Sequence, residues 1–236
     1  MIALPGSAPA ATAVKRLTST VPIVFATGGD PVALGLVPSL NRPGGNVTGV
    51  TSLNSEIAAK RIGLMRELFP SATRYFALIN PTSPLAEASK KDLVAAAAHF
   101  KIHLEILQAS TDAEIEAAFA RLPPQPGNVL VFGPDAFFYI RRDRLAALAA
   151  RHAMPSIFDV RDYAEAGGLI SYGADFMDVL RLAGGLAGRV LKGENPGDLP
   201  VMQPTKFELV INLKTAKALE LEIPPMLLAR ADAVIE

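Results

Sequence analysis

Short runs of β-branched and aliphatic residues alternate along this chain with longer, alanine-rich stretches whose apolar positions recur at helical spacing. Strands buried on both faces read as continuous apolar runs, and the helices that cover them need only one apolar face, so the alternation predicts an α/β fold with parallel sheets. Val21-Pro22-Ile23-Val24-Phe25 reads as one such buried strand, entered from Thr18-Ser19-Thr20 and left through Thr27-Gly28-Gly29-Asp30. Further strands are predicted at Asn46–Thr51, Tyr75–Ile79, His103–Leu107, Val129–Phe132, Ser156–Phe158, Leu169–Tyr172 and Phe207–Ile211. Helices are predicted over Ser55–Leu68, Leu85–Phe100, from Asp112 to just before Pro123-Pro124, and over Arg142–His152, Asp175–Leu191 and Asn212–Leu219, with a short one at Tyr163–Ala166. In the first of these, Ile57, Ile62, Leu64, Met65 and Leu68 share a face, and Asn54 or Ser55 is placed to cap it.

The stretch from Arg74 to Tyr172 reads as a nearly complete doubly wound repeat. The front of the chain differs. Met1–Leu4 reads as the end of a strand and Pro9–Leu17 as a helix, so only two or three strands precede residue 54. That is too few for an independent lobe, and the front half is expected to be incomplete.

Composition narrows the function. Half of the 236 residues are apolar and 19% are charged, which excludes disorder. Lys plus Arg (23) balance Asp plus Glu (23), so no net field draws nucleic acid or an anionic membrane. Aromatic residues make up 6% and Trp is absent, which leaves few stacking platforms and points to a small ligand. The lack of Cys removes disulfides, thiolate metal sites and Cys nucleophiles together. No run of about 18 apolar residues is present. Met1–Pro9 lacks the basic and apolar regions of a signal peptide, so the chain as it stands is expected to be cytoplasmic or without its leader.

In open α/β sheets the ligand binds beyond the carboxyl ends of the strands, so candidate chemistry is sought in those loops. Leu4-Pro5-Gly6-Ser7-Ala8-Pro9 offers the Ser7 hydroxyl and free amides to a carboxylate, in the same geometry that caps a helix. Gly28-Gly29 permits either a tight turn or close approach of backbone to ligand. Gly133-Pro134-Asp135-Ala136-Phe137-Phe138 sets an acid beside two aromatics, a pairing suited to an ammonium and an apolar body, although one or both rings can equally be core. Asp159 and Asp162 follow another strand and have capping or ion pairing as their ordinary roles. His99 and His103 straddle a helix end and a strand start and lack a third ligand, so a zinc site is not expected. The sequence contains no G-x-x-x-x-G-K-[ST], G-x-S-x-G, G-x-G-x-x-G or H-E-x-x-H motif.

The run from Val21 through Ala26-Thr27-Gly28-Gly29-Asp30-Pro31-Val32 and Gly35-Leu36-Val37 to Asn41-Arg42-Pro43-Gly44-Gly45-Asn46-Val47-Thr48-Gly49 resembles the ABC transporter substrate-binding family related to tryptophan-binding proteins. Tyr172-Gly173, Leu191-Lys192-Gly193-Glu194, Leu199-Pro200-Val201, Phe207–Asn212 and Ile223-Pro224-Pro225 continue the likeness over essentially the whole chain. The resemblance implies a type I periplasmic-binding-protein fold of two Rossmann-like lobes, the first truncated at its N-terminus. The lobes are expected at residues 1–53 plus about 175–200, and at about 54–174 plus 201–236. It implies capture of a small, amino-acid-like ligand between the lobes, ABC permease subunits as membrane partners, a periplasmic location, no nucleic acid, no cofactor and no catalysis. Carried over by strand-end position, the first wall of the site is Ser7, Ala26, Thr27 and Asp30. The second is Asn80, Asp135, Phe137, Phe158 and Asp159. Two other classes stand as alternatives: a cytoplasmic small-molecule sensor and a nucleotide-binding Rossmann-type enzyme.

Overall fold

The structure, a computed structural model, describes residues 1–123 and 127–236. Its strands are β1 (Ile2–Leu4), β2 (Ile23–Thr27), β3 (Val47–Thr51), β4 (Arg74–Ile79), β5 (His103–Gln108), β6 (Asn128–Phe132), β7 (Ser156–Phe158), β8 (Ile170–Ala174), β9 (Phe207–Asn212) and β10 (Ala233–Ile235). Its helices are α1 (Ala8–Leu17), α2 (Ala58–Leu68), α3 (Ala86–Phe100), α4 (Asp112–Ala120), α5 (Ala136–Tyr139), α6 (Arg142–Arg151), α7 (Arg161–Glu165), α8 (Phe176–Leu191), α9 (Leu213–Ala218) and α10 (Pro225–Leu228). Every predicted strand and helix is present, with ends moved by a residue or a few. Of the Pro123-Pro124 pair expected to stop α4, Pro124 lies outside the described residues.

The chain divides into two compact units: Met1–Asn54, Ser83–Leu85 and Ala174–Lys206 form one, and Ser55–Thr82, Ala86–Gly173 and Phe207–Glu236 form the other. Residues 201–206, expected with the second lobe, belong to the first unit. The reason is local: Met202 exchanges backbone hydrogen bonds with Gly49 and Thr51, and Val201 packs with Ile23 and Phe25.

In the first unit β1, β2 and β3 form a parallel sheet in that order. Alternation along β2 splits its buried side chains between two cores. Ile23 and Phe25 pack with Ala11 of α1, and Val24 and Ala26 pack with Val179 and Leu186 of α8. The Ser7 hydroxyl accepts the Ala10 N–H at 3.2 Å and so caps α1, and Pro9 sits in the first turn, where its missing N–H loses no bond.

The second unit holds a seven-stranded sheet in the order β10-β9-β8-β7-β6-β4-β5. β4 pairs with β5 and β6, β6 with β7, β7 with β8 and β9 with β10, all in parallel. Tyr75, Ala77 and Ile79 of β4 and Val129 and Val131 of β6 pack beneath α2 and α3. The alternate residues face the side on which α4 and α6 are tied together by Arg144 with Asp112 and Glu116 and by Arg151 with Glu116.

The start of α2 departs from expectation. Asn54–Glu56 form a 3-10 turn, Ile57 stands at the N-cap without a side-chain bond, and Asp92 of α3 accepts the Ala58 N–H at 2.6 Å. Asn54 is used elsewhere, accepting the Ala174 N–H at 3.2 Å. A tertiary carboxylate thus replaces the local cap.

Gly49 on β3 shows how close the first sheet packs: a Cβ there would stand 2.3 Å from the Phe25 carbonyl oxygen and 2.6 Å from its ring. Gly49→Ala is expected to destabilise the protein by about 1–3 kcal/mol through overpacking, read as a lower thermal midpoint. An unchanged midpoint would show that β2 and β3 yield freely.

Candidate functional site

β4 leads through α3 to β5 on one side, whereas β6 leads through α5 and α6 to β7 on the other. Neighbouring strands whose connections depart in opposite directions leave a crevice at their carboxyl ends. Asn80 follows β4 at that point, and Gly133-Pro134-Asp135 follows β6. The Asn80 side-chain amide donates to Asp135 Oδ1 at 3.0 Å, and the Phe137 N–H donates to the same oxygen at 2.9 Å. The Thr82 N–H and hydroxyl donate to Asn80 Oδ1 at 3.1 and 2.8 Å. Both bonds to the half-buried Asp135 therefore fall on one oxygen, and among the described residues no hydrogen bond reaches its Oδ2.

Beneath this loop lies a stack of rings. The rings of Phe132 and Phe158 stand 4.4 Å apart and those of Phe158 and Tyr163 4.6 Å apart, stacked with interplanar angles of 16° and 15°. Phe158, expected as a wall of the site, is fully buried, its ring between those of Phe132 and Tyr163. Ala26, also expected at the site, is buried against α8. Of the two neighbouring phenylalanines, Phe138 is fully buried and Phe137 is half-buried at the rim. The Arg141 guanidinium lies 3.7 Å from the centre of the Phe137 ring and donates to the Phe137 carbonyl.

Charge around the crevice is arranged around one buried cation. Arg61 of α2 is 2% exposed, and its Nε donates to the Tyr172 carbonyl at 2.9 Å. Burial pulls the pKa of its guanidinium below the ordinary arginine value, while Asp159 and Asp92 oppose that pull. Asp159, a predicted wall residue, thus faces a protein cation from the end of β7. Burial, reinforced by Asp159 and Asp135, drives the Tyr163 phenol well above its usual range. Burial and then the hydrogen bond to Asp162 push Tyr139 up to about 12. Both phenols stay protonated at neutral pH. Asp162 is therefore the acceptor that ties α5 to α7.

In the first unit the strand-end groups are engaged with their own loops. Thr27, 3% exposed, accepts the Gly29 N–H at 3.3 Å, and Thr51 donates to the Gly29 carbonyl at 2.7 Å. These hydroxyls hold the Gly28-Gly29 segment. Asp30 accepts the Val32 N–H at 2.8 Å. Ser7 caps α1 and keeps a hydroxyl proton for a further acceptor. The Phe176 ring of α8 reaches within 3.4 Å of the position a Gly6 Cβ would take, where φ is +80°.

The structure thus joins Asn80, Asp135 and Phe137 by direct hydrogen bonds and links Asp159 to them electrostatically through Tyr163. Ser7, Thr27 and Asp30 lie in the other unit, each bonded locally. Sequence reasoning missed Arg61, Tyr139, Tyr163 and Phe176. An arginine on an amphipathic helix reads as solvent-facing, and only the strand-end placement of the other three offered a signal. Among the described residues no group of three or more His, Cys, Asp or Glu is placed to hold a metal ion. No helix among them is long and apolar enough to cross a membrane.

Two units on parallel sheets, with candidate groups in the strand-end loops of each, define a type I periplasmic-binding-protein fold. The chain belongs to the ABC transporter substrate binding protein family, whose model matches residues 1–235. It is 31% identical over 218 residues to a tyrosine-binding protein of Clostridioides difficile, covering 92% of this chain and 62% of that protein's length. Two solved structures share the fold closely. One is a conserved domain protein from Vibrio cholerae, 28% identical, TM-score 0.89, covering 97% of this chain and 76% of that one. The other is the ABC domain in complex with L-Trp from Streptococcus pneumonia, 25% identical, TM-score 0.88, covering 99% and 80% respectively.

The Tyr139–Asp162 bond yields a pH prediction. A phenol whose folded pKa, about 12, exceeds the ordinary value near 10 adds stability that is whole below about pH 10 and lost as pH rises towards 12. Tyr139→Phe is expected to lower stability at pH 7 by about 1.5–3 kcal/mol, the range for a hydrogen bond to a charged partner, and to flatten the fall above pH 10. Denaturant melts across pH 7–11.5 check both, and parallel curves for variant and wild type would contradict the assignment.

Proposed function

We propose that this chain is the solute-capturing component of an ABC-type importer, working outside the cytoplasm and presenting an amino-acid-like ligand with an aromatic side chain to membrane permease subunits. Its action is binding alone, without catalysis. The observation that carries the ligand class is the Asp135 carboxylate, oriented by two donors on one oxygen, with the other oxygen available beside the rim ring of Phe137. An ammonium meets an ionised acceptor there, and an apolar body meets an aromatic face. Family membership, and the names of relatives described as tyrosine-binding and as complexed with L-Trp, support the same class.

The residues that carry this reading are Asp135 as ammonium acceptor and Phe137 as apolar contact, with Asp159 adding negative potential from β7. In the first unit Ser7, Thr27 and Asp30 stand at the corresponding strand ends. The Ser7 hydroxyl accepts the Ala10 N–H there and keeps a proton to donate.

Titration calorimetry with L-tyrosine and L-tryptophan is the test. At least one is expected to bind, and Asp135→Asn to weaken it by about 10–100-fold, as loss of a charge-assisted bond implies. Phe137→Ala is expected to weaken it as well. No binding of either amino acid at millimolar concentration, or unchanged affinity in Asp135→Asn, would sink the proposal.

A further inference from the structure

Asn80 is 7% exposed, and the hydrogen bonds of its side chain account for both ends of the amide. The Thr82 backbone N–H can only donate, so the side-chain oxygen of Asn80 must face it. That choice turns the Asn80 NH2 group towards Asp135. The reverse orientation would set the NH2 against the Thr82 N–H and the oxygen against a carboxylate, two repulsive contacts in place of two bonds. The orientation of Asn80 is therefore dictated by Thr82, and the orientation of Asp135 by Asn80.

We infer that Thr82 and Asn80 are positioning residues that select for the ligand's ammonium by holding the Asp135 carboxylate with Oδ1 occupied and Oδ2 presented. In this role neither has to touch the ligand. The inference rests on the reading of Asp135 as the ammonium acceptor and assigns a role to two residues behind it. Asn80 stands at the end of β4, a strand paired on both sides, so the relay is anchored on the interior of the sheet. Without Asn80, only the Phe137 N–H would restrain the carboxylate, which would then be free to rotate its second oxygen away. Site geometry held by a second layer of hydrogen bonds is what keeps a binding group within the tolerance that affinity requires.

The experiment is a double-mutant cycle read by L-tyrosine and L-tryptophan binding, using Asn80→Ala, Thr82→Val, Asp135→Asn and the two pairs with Asp135→Asn, with thermal midpoints measured alongside. Asn80→Ala is expected to weaken binding about tenfold. Thr82→Val, which keeps the backbone donor, is expected to weaken it less, by about threefold. Both losses should vanish in the Asp135→Asn background, because the relay acts only through that carboxylate. Equal losses in the two backgrounds would overturn the inference, since a direct contact or a general loss of fold would act whether or not Asp135 is ionised. If wild type binds neither amino acid, the ammonium-acceptor reading itself falls and takes the relay's role with it. Binding by wild type without coupling would remove the relay alone.

Discussion

The site depends on a constraint of chain connection: a parallel strand must return by a crossover, and such crossovers are right-handed almost without exception. Because β4 leads to β5 on one side and β6 leads to β7 on the other, the covering helices leave the sheet on opposite faces from adjacent strands. The α2–α3 layer and the α4–α6 layer follow from that divergence, as does the gap at the carboxyl ends of β4 and β6. Asn80 and Asp135 occupy this gap because each is the first polar side chain beyond a buried strand.

Within that frame the energetics are governed by the burial of charge. Arg61 lies inside the second unit and is tolerated because a carbonyl and two carboxylates face it, one of them the Asp92 that also caps α2. An isolated buried cation would be costly, and removing one partner of such a group exposes the rest of the penalty. The same environment keeps Tyr139 and Tyr163 neutral, so Tyr139 donates to Asp162 and Tyr163 serves as packing surface beside Phe158. The stacked rings of Phe132, Phe158 and Tyr163 form a rigid floor under this loop. Gly168 belongs to the same arrangement: a Cβ there would approach the Phe158 ring to 2.6 Å and the Tyr163 carbonyl to 2.7 Å.

Much of this was written locally in the sequence. Val129–Phe132 and Tyr75–Ile79 are unbroken apolar runs, and such runs between amphipathic stretches admit little besides buried parallel strands. The acid beside two aromatics at 135–138 was visible because all three stand just past such a run. What escaped were features set by distant partners. The cap of α2 comes from a residue 34 positions away, β10 is short enough to need β9 beside it, and residues 201–206 join the first unit through bonds to β3. Phe158 and Ala26 stand at or near strand ends as expected, and the pleat, which decides which way such a side chain points, leaves both buried.

The central claim is that Asp135 Oδ2 receives the ammonium of an aromatic amino acid at the switch point of the second unit. A crystal structure of the chain grown with L-tyrosine tests it most directly. The account predicts the ligand nitrogen within about 3 Å of Asp135 Oδ2, with the Asn80–Asp135 hydrogen bond retained and the ligand's side chain against Phe137. A ligand bound away from Asp135, or turned so that its carboxylate faces that residue, would contradict it.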